Sequence, residues 1–495
     1  MEDGNLFSAF ADQAAKRRAE PALICDDGVT LGYAELRDFA GRFAGLLRAR
    51  GVQPGDRVVV QVEKSRAAVA LYLACLQCGV IFVPLNTAYT DAEVTYFLDD
   101  AQPALFVHDP ARRAMWAASA ALGQDDLSPF WAEAQSAESD PAITPRSRED
   151  VAAICYTSGT TGRSKGAMIT HGNMASNAQT LIGLWRFSDQ DCLLHILPIF
   201  HVHGLFVALH CALLSGSAIL FERSFDTGRV RVLLPRATVM MGVPTHYTRL
   251  LGDAGFGRDD CATMRLFLCG SAPLLAETHE RFEARSGHRI LERYGMTEAG
   301  MITSNPYDGA RIAGTVGLPL PGVEARVRDD EGQLVGADIV GTLEITGPNV
   351  FSGYWQMPDK TSESFTSDGW FITGDLVTKA TDGRIAIVGR AKDLIIAGGY
   401  NIYPKEIESV IDDMPGVEES AVVGIPHPDF GESVIAIVVI DPGVVVTPAD
   451  IAAWVNERLA RFKHPRQIEI VASLPRNAMG KVQKAELRDR FSTPN

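Results

Sequence analysis

Several things are scarce in this chain, and each scarcity excludes a class. No apolar run approaches the roughly 18 residues a bilayer-spanning helix needs, so no transmembrane helix is expected. Positive charge is in deficit, with 46 Lys plus Arg against 61 Asp plus Glu, a balance of −15. That field repels nucleic acid and anionic membranes unless a basic segment is segregated somewhere, so neither is expected as a partner. Cysteine is sparse and unpatterned: Cys25, Cys75, Cys78, Cys155, Cys192, Cys211, Cys261 and Cys269 show no repeating spacing. Such usage suits reduced, mostly buried thiols in a cytosolic setting. The one C-x-x-C, Cys75 to Cys78, has no second Cys or His pair nearby and reads as structural, because metal sites need convergent ligands. There is no internal repeat and no low-complexity tract. The acidic N-terminus and the terminal Ser-Thr-Pro-Asn match no address signal, which leaves the cytoplasm as the expected location.

What is present is enzyme-like. The 495 residues are 46% hydrophobic and 22% charged, enough for more than one core and roughly three average domains. Between about residues 31 and 83, helical patterns (33–50, 65–79) alternate with β-branched runs (57–62, 80–85), which predicts parallel sheet with helical crossovers. A helix over 91–98, a strand over 104–108 and a loop over 133–150 precede a strand at 151–156. Strand and helix alternate again from 193 to about 327. After Gly341 the sequence becomes strand-dense, predicting a small β-barrel-like part. The segment beyond about 390 reads as a compact α+β unit, with helices at 404–413 and 448–461. The expectation is therefore an α/β body over residues 1–390 and a mobile C-terminal α+β cap over 391–495.

The sharpest chemical signal is Tyr156-Thr-Ser-Gly-Thr-Thr-Gly-Arg-Ser-Lys-Gly166, directly after an apolar strand. Glycines let backbone N–H groups approach an anion, hydroxyls add donors, and Lys165 adds charge, so the segment suits a polyphosphate. It is not a Walker A loop, since Gly166 rather than Ser or Thr follows Lys165.

This loop is similar to the phosphate-binding loop of the adenylate-forming acyl-CoA synthetases, a superfamily that includes aryl-CoA ligases, luciferases and carrier-loading adenylation domains. Further resemblances follow in that superfamily's order: Leu197-Pro-Ile-Phe-His-Val-His-Gly204, Tyr294-Gly-Met-Thr-Glu298, Gly353-Tyr-Trp355, Trp370-Phe-Ile-Thr-Gly-Asp375, Gly389-Arg-Ala-Lys-Asp393, Gly398-Gly-Tyr-Asn-Ile-Tyr-Pro404 and Pro475-Arg-Asn-Ala-Met-Gly-Lys481. The resemblance implies the adenylate-forming fold, with ATP, Mg2+ and coenzyme A as co-reactants. It implies ATP or AMP contacts from Thr157, Ser158, Gly159, Thr160, Thr161, Gly162, Lys165, Tyr294 (stacked on adenine), Gly295, Asp375 (ribose hydroxyls) and Arg390. Thr297, Glu298, His201 and Lys481 would be the catalytic group, with Glu298 and Thr161 at magnesium. Lys481 would bridge the carboxylate and α-phosphate. Lys392 would be the hinge, and Gly398 and Gly399 would border the CoA tunnel. Acetylation of Lys481 by a lysine acetyltransferase would remove the charge this role requires.

Within the superfamily the chain most resembles the malonyl-CoA synthetases, through Val243-Pro-Thr-x-Tyr-x-Arg249, Gly270-Ser-Ala272, Glu292-Arg-Tyr-Gly-Met-Thr-Glu298 and Tyr403-Pro-Lys-Glu-Ile-Glu408. By that resemblance His201, Val202, Ser271 and Met301 border the acyl group. A second carboxylate in a mostly apolar pocket must be paired, and Arg249 with Ser271 is expected to pair it. Val202, Cys269 and Ala299-Gly300 depart from the bacterial malonyl pattern and widen or de-polarise the pocket, which leaves methylmalonate open. Two alternatives stand beside malonate: a ligase for another short, medium or aryl monocarboxylate with Arg249 structural, and a stand-alone adenylation enzyme that loads a carrier protein. The deficit of positive charge is uneven. Residues 458–490 hold nine Lys or Arg against three Asp or Glu, so this stretch is +6 and the remainder −21.

Overall fold

The computed structural model describes residues 4–112, 115–122, 128–157, 164–397, 400–427, 430–477 and 480–492. Among them the strands form four sheets, three in the N-terminal body and one in the C-terminal unit. The expected alternation is found. In the six-stranded sheet Arg57–Gln61, Ile81–Pro84 and β1 (Val151–Thr157) run parallel, and Lys165–Thr170 closes the edge antiparallel to β1.

The helix Arg66–Cys78 shows why this layer is stable. Every one of its residues is buried, Ser65 accepts a hydrogen bond from the Ala68 N–H at its start, and Gly79 ends it in the left-handed conformation at φ 67°. A Cβ at Gly79 would lie 2.6 Å from the Arg146 side chain, so both backbone and space call for glycine. Cys75 and Cys78 lie on this helix as buried free thiols that burial pushes up from their ordinary pKa, in keeping with a structural role.

The nine-stranded sheet carries the central cleft. Its strands β2 (Val239–Gly242), β3 (Leu266–Cys269) and β4 (Leu291–Met296) are parallel neighbours, and β5 (Gly300–Ser304) folds back antiparallel on β4. In such sheets ligands collect beyond the carboxyl ends of the strands. Here those ends are followed by the helix α1 (Pro244–Gly252), by Gly270-Ser271, and by the Thr297-Glu298 turn. The third sheet is antiparallel: Glu324–Arg328, Gly341–Thr346, β6 (Phe371–Lys379) and β7 (Ile385–Arg390).

The C-terminal unit packs the helices Pro404–Asp412 and Pro448–Asn456 on a separate sheet built around Val417–His427 and Gly431–Ile440. It has apolar clusters of its own, including Ile395, Ile407, Ile411, Val422, Val438 and Ile451.

Two expectations need correction. Part of the stretch taken as a loop is the helix Pro129–Ser136, which buries Phe130, Trp131 and Ala134, with Trp131 stacked on Phe39. Its single apolar turn is too short to register as a period. The helix expected over 448–461 ends at Asn456, and Pro465 downstream holds His464 in extended backbone.

Candidate active site

One wall of the cleft is built by pairing β6 with β7, which places Asp375 directly opposite Arg390. Arg390 Nε lies 2.7 Å from Asp375 Oδ1, and Arg390 Nη1 donates to the Thr373 carbonyl at 3.1 Å. Tyr294, at the buried end of β4, donates its hydroxyl to Asp375 Oδ2. Asp375 is 3% exposed; burial pushes its carboxyl above the ordinary range, and Arg390 opposes that push. Gly295 follows because nothing larger fits: a Cβ there would meet the Gly300 carbonyl oxygen at 2.1 Å.

Glu298 sits in the turn between β4 and β5, buried, with its Oε1 accepting from Tyr354 Oη at 3.0 Å and Thr157 Oγ1 at 3.4 Å. Its second oxygen has no protein donor among the described residues. A carboxylate with one oxygen fixed and the other open suits a divalent cation that also takes phosphate oxygens, the usual manner for magnesium. Lys165 Nζ lies 4.1 Å from the centre of the Tyr354 ring, so Tyr354 ties the Lys165 strand to Glu298. Thr297, half-buried, occupies the same turn.

Lys481 reaches this cleft from the C-terminal unit. Its loop abuts the start of α1, since a Cβ at Gly480 would lie 3.4 Å from Thr245 Oγ1. The side chain is open to water in the cleft, yet the protein crowded around it and nearby Arg390 lower its pKa, while Asp375 and Glu298 oppose that shift.

The wall of the cleft expected to border the acid includes the segment 201–208 and Gly270-Ser271. Val202 is buried and leads into a π-helical turn, His203–Ala208; such turns recur at functional sites. Ser271 adopts φ 71°, rare for a non-glycine residue, and its Oγ lies 3.2 Å from His203 Nδ1. Burial lowers the His201 pKa to about 3, with Lys481 and Arg293 acting in the same direction, so His201 is neutral and its Nδ1 accepts the His203 N–H at 3.3 Å. Met301 is buried on β5.

The structure thus brings together Thr157, Lys165, Tyr294, Gly295, Thr297, Glu298, Asp375, Arg390 and Lys481, with His201, Val202, Ser271 and Met301 on the wall expected to border the acid. Lys392 is exposed in the short turn Ala391–Asp393 that follows β7. Ser158, Gly159, Thr160, Thr161, Gly162, Gly398 and Gly399 lie outside the described residues. One expectation fails in its burial: Arg249 is exposed on α1 and has no ion pair among the described residues. It stands one turn beyond Thr245 on the same face, because helical positions four apart are neighbours. Sequence reasoning also missed two residues. Tyr354 lies in the quoted Gly353-Tyr-Trp355 motif without a role, and Arg293 lies unremarked inside Glu292-Arg-Tyr-Gly.

Comparison with known proteins gives the family and the fold. A family model described as AMP-binding enzyme matches residues 10–355, and one described as AMP-binding enzyme C-terminal domain matches residues 406–481. A feruloyl-CoA synthase from Amycolatopsis sp is 37% identical over 468 residues, 94% of each chain. A malonate–CoA ligase from Arabidopsis thaliana is 34% identical, covering 98% of this chain and 89% of that one. The crystal structure of ATP-bound MatB from Rhodopseudomonas palustris superposes with a TM-score of 0.96 at 49% identity over 99% of both chains. Among the described residues no helix is long and apolar enough to cross a membrane.

Proposed function

The chain belongs to the AMP-binding enzyme family and is an AMP-forming acyl-CoA ligase; from that premise we propose that its acid is malonate, with methylmalonate as a second substrate. The observation that carries the choice is likeness over nearly the full length to a malonate–CoA ligase at 34% identity, beside ATP-bound MatB at 49%. The 37% identical feruloyl-CoA synthase supports a second reading, an aryl monocarboxylate.

Members of this family use ATP, Mg2+ and CoA. In the first step a carboxylate oxygen of the acid attacks the α-phosphorus of ATP and pyrophosphate leaves. In the second the CoA sulfur, having lost its proton, attacks the acyl carbon and AMP leaves. Both steps gather negative charge in a small volume, so positioned cations carry most of the rate enhancement. Lys481 is assigned to the carboxylate and α-phosphate, Arg390 and Asp375 to the ribose, Tyr294 and Gly295 to the adenine side, and Thr297 and Lys165 to phosphate. The open oxygen of Glu298 would hold magnesium, which supplies charge neutralisation at the phosphates. Thr157 supports Glu298, and we extend the phosphate role to Ser158, Gly159, Thr160, Thr161 and Gly162, and the metal role to Thr161, on the loop's composition.

His201, Val202, Ser271 and Met301 are assigned to the acyl wall, and Arg249, exposed beside the Lys481 loop, to drawing the acid in. The body would end at residue 390 and the cap begin at 391, turning about Lys392 so that Gly398 and Gly399 face CoA in the second step. Acetylation at Lys481 would stop the first step. The eight free thiols, seven of them buried, support a reducing compartment such as the cytoplasm. The test is a panel of malonate, methylmalonate, ferulate, benzoate and propionate with ATP and CoA, with products identified by mass. Malonyl-CoA and AMP as the leading products support the reading; feruloyl-CoA in that place overturns it.

A further inference from the structure

Lys64 is a buried lysine that no carboxylate answers. It is 5% exposed, lies in the loop between the strand Arg57–Gln61 and the helix Arg66–Cys78, and forms no ion pair among the described residues. The acids that face it are engaged elsewhere: Glu222 holds Arg229 at 2.9 Å, and Asp26 holds Arg223 at 3.2 Å. The other titratable groups around it are uncharged near neutral pH. Burial raises the Cys25 thiol to about 11 and lowers the His246 imidazole, on α1, to about 3.

What Lys64 meets instead is an imidazole. Its Nζ lies 2.7 Å from His195 Nδ1 and donates to the His195 carbonyl at 2.9 Å, with the Phe221 ring centre 4.5 Å away. His195 and Phe221 end neighbouring parallel strands of the nine-stranded sheet, whereas Lys64 follows a strand of the six-stranded one, so the contact joins the two layers. Burial, and then Lys64, keep His195 uncharged, which leaves it a single ring N–H. His195 Nε2 lies 2.9 Å from the Gly204 carbonyl, a group that only accepts, so the proton sits on Nε2. Nδ1 is then an acceptor, and Lys64 is its donor. The same Gly204 carbonyl takes the Leu209 N–H, the bond of π-helical spacing in the turn His203–Ala208. Gly204 is also wedged in place: a Cβ there would fall 2.0 Å from the Pro198 carbonyl oxygen.

We propose that Lys64 is a positioning residue for the acid: it holds His195 in the Nε2–H tautomer, and His195 holds the Gly204 carbonyl and with it the turn that presents His201 and Val202. The inference rests on the assignment of His201 and Val202 to the acyl wall. Packing alone does not call for an amine here, because a methionine would fill the space without the cost of desolvating a charge. A methionine cannot donate to Nδ1. Without that donor Nδ1 is an unpaired buried acceptor, and moving the proton onto it relieves the cost only by taking the N–H away from Gly204. The relay touches no residue assigned to the nucleotide, so ATP binding should be spared.

The experiment has a spectroscopic and a kinetic arm, both on the full-length enzyme. Protein labelled with 15N at histidine gives the ring tautomers by NMR, with His195 assigned by the signals lost in His195→Gln. Wild-type His195 should be the neutral Nε2–H form, and in Lys64→Met its Nδ1 signal should shift or the tautomer change. The kinetic arm takes the acid that the panel ranks first: in Lys64→Met its KM should rise by roughly tenfold or more, while the ATP KM moves by less than about threefold. Lys64→Gln, whose amide N–H can still donate to Nδ1, should recover most of that loss. An Nδ1–H tautomer in the wild type, or a His195 spectrum unchanged in Lys64→Met, overturns the relay and leaves the acyl wall standing. An altered His195 with no rise in the acid KM overturns the proposal together with the wall assignment it rests on. Equal rises in both KM values reduce Lys64 to a structural tie between the sheets and overturn it as well. If Lys64→Met does not fold, the wild-type tautomer decides.

Discussion

The two sides of the cleft treat charge in opposite ways. On the ribose side every charge is answered within the protein: Asp375 holds Arg390 at 2.7 Å and accepts from Tyr294, and Arg390 also donates to the Thr373 carbonyl. On the acyl side the buried cation Arg293 has no hydrogen-bond partner among the described residues, and the histidines beside it are neutral. A preassembled network positions a ligand that is the same in every turnover. A deficit left in the interior selects a ligand by what it must bring. The first arrangement suits the common nucleotide, and the second suits the variable acid.

Perturbing each side should give separable losses. The largest is expected at Lys481, which serves both sides: Lys481→Ala should cost the adenylation step about 3 kcal/mol or more, a hundredfold or greater drop in pyrophosphate exchange. Conversion of supplied acyl-AMP and CoA to thioester should persist. Equal loss of both half-reactions would break the division of labour. Next, Asp375→Ala leaves Arg390 half-buried without its partner and should raise the ATP KM by roughly ten- to a hundredfold. The malonate KM should move far less; equal movement of both would mean that the two sides are not independent.

A smaller effect separates Glu292 from its neighbour. Burial raises its carboxyl to about 8, against N–H donors at Leu274 and Gly314, and its Oε2 has no hydrogen-bond partner among the described residues. The folded pKa is above the unfolded value of about 4.3, so the stability this group contributes is full below that value and is lost as pH rises through about 8. The wild-type Tm should therefore decline across that window, and Glu292→Gln should flatten the decline, as read by thermal unfolding at a series of pH values. A Glu292→Gln variant with an unchanged pH slope would assign the decline elsewhere. The smallest effect is expected at Arg249. An exposed cation contributes about 1 kcal/mol or less, so Arg249→Ala should change malonate kcat/KM by tenfold at most. A hundredfold loss there would return the anion receptor to the rim and break the comparison.

What could be read in advance follows the same line between the two sides. Tyr294, Glu298, Asp375, Arg390 and Lys481 lie in contiguous motifs, and the chemistry of each is carried by residues next to it in sequence. The parallel body was readable because β-branched runs alternate with helical periods. Arg293 was hidden because its environment comes from separate elements: Gly270 beyond β3, Tyr247 on α1, and Cys211 on the helix Leu209–Ser215. No local pattern states that these surround one guanidinium. The exposure of Arg249 was hidden for the converse reason. The strand before it, β2, is apolar throughout, but the helix that follows the strand carries a solvent face, and Arg249 lies on that face. The helix Pro129–Ser136 was missed because its apolar contacts, with Phe39 and Phe43, are distant in sequence.

The central claim is that the acyl pocket is built for a second negative charge. The most direct measurement is the ratio of kcat/KM for malonate to that for propionate in the unaltered enzyme, scored as CoA-dependent AMP release. A pocket that pairs the second carboxylate predicts a ratio of about 100 or more. A ratio near one, or a preference for propionate, would contradict it.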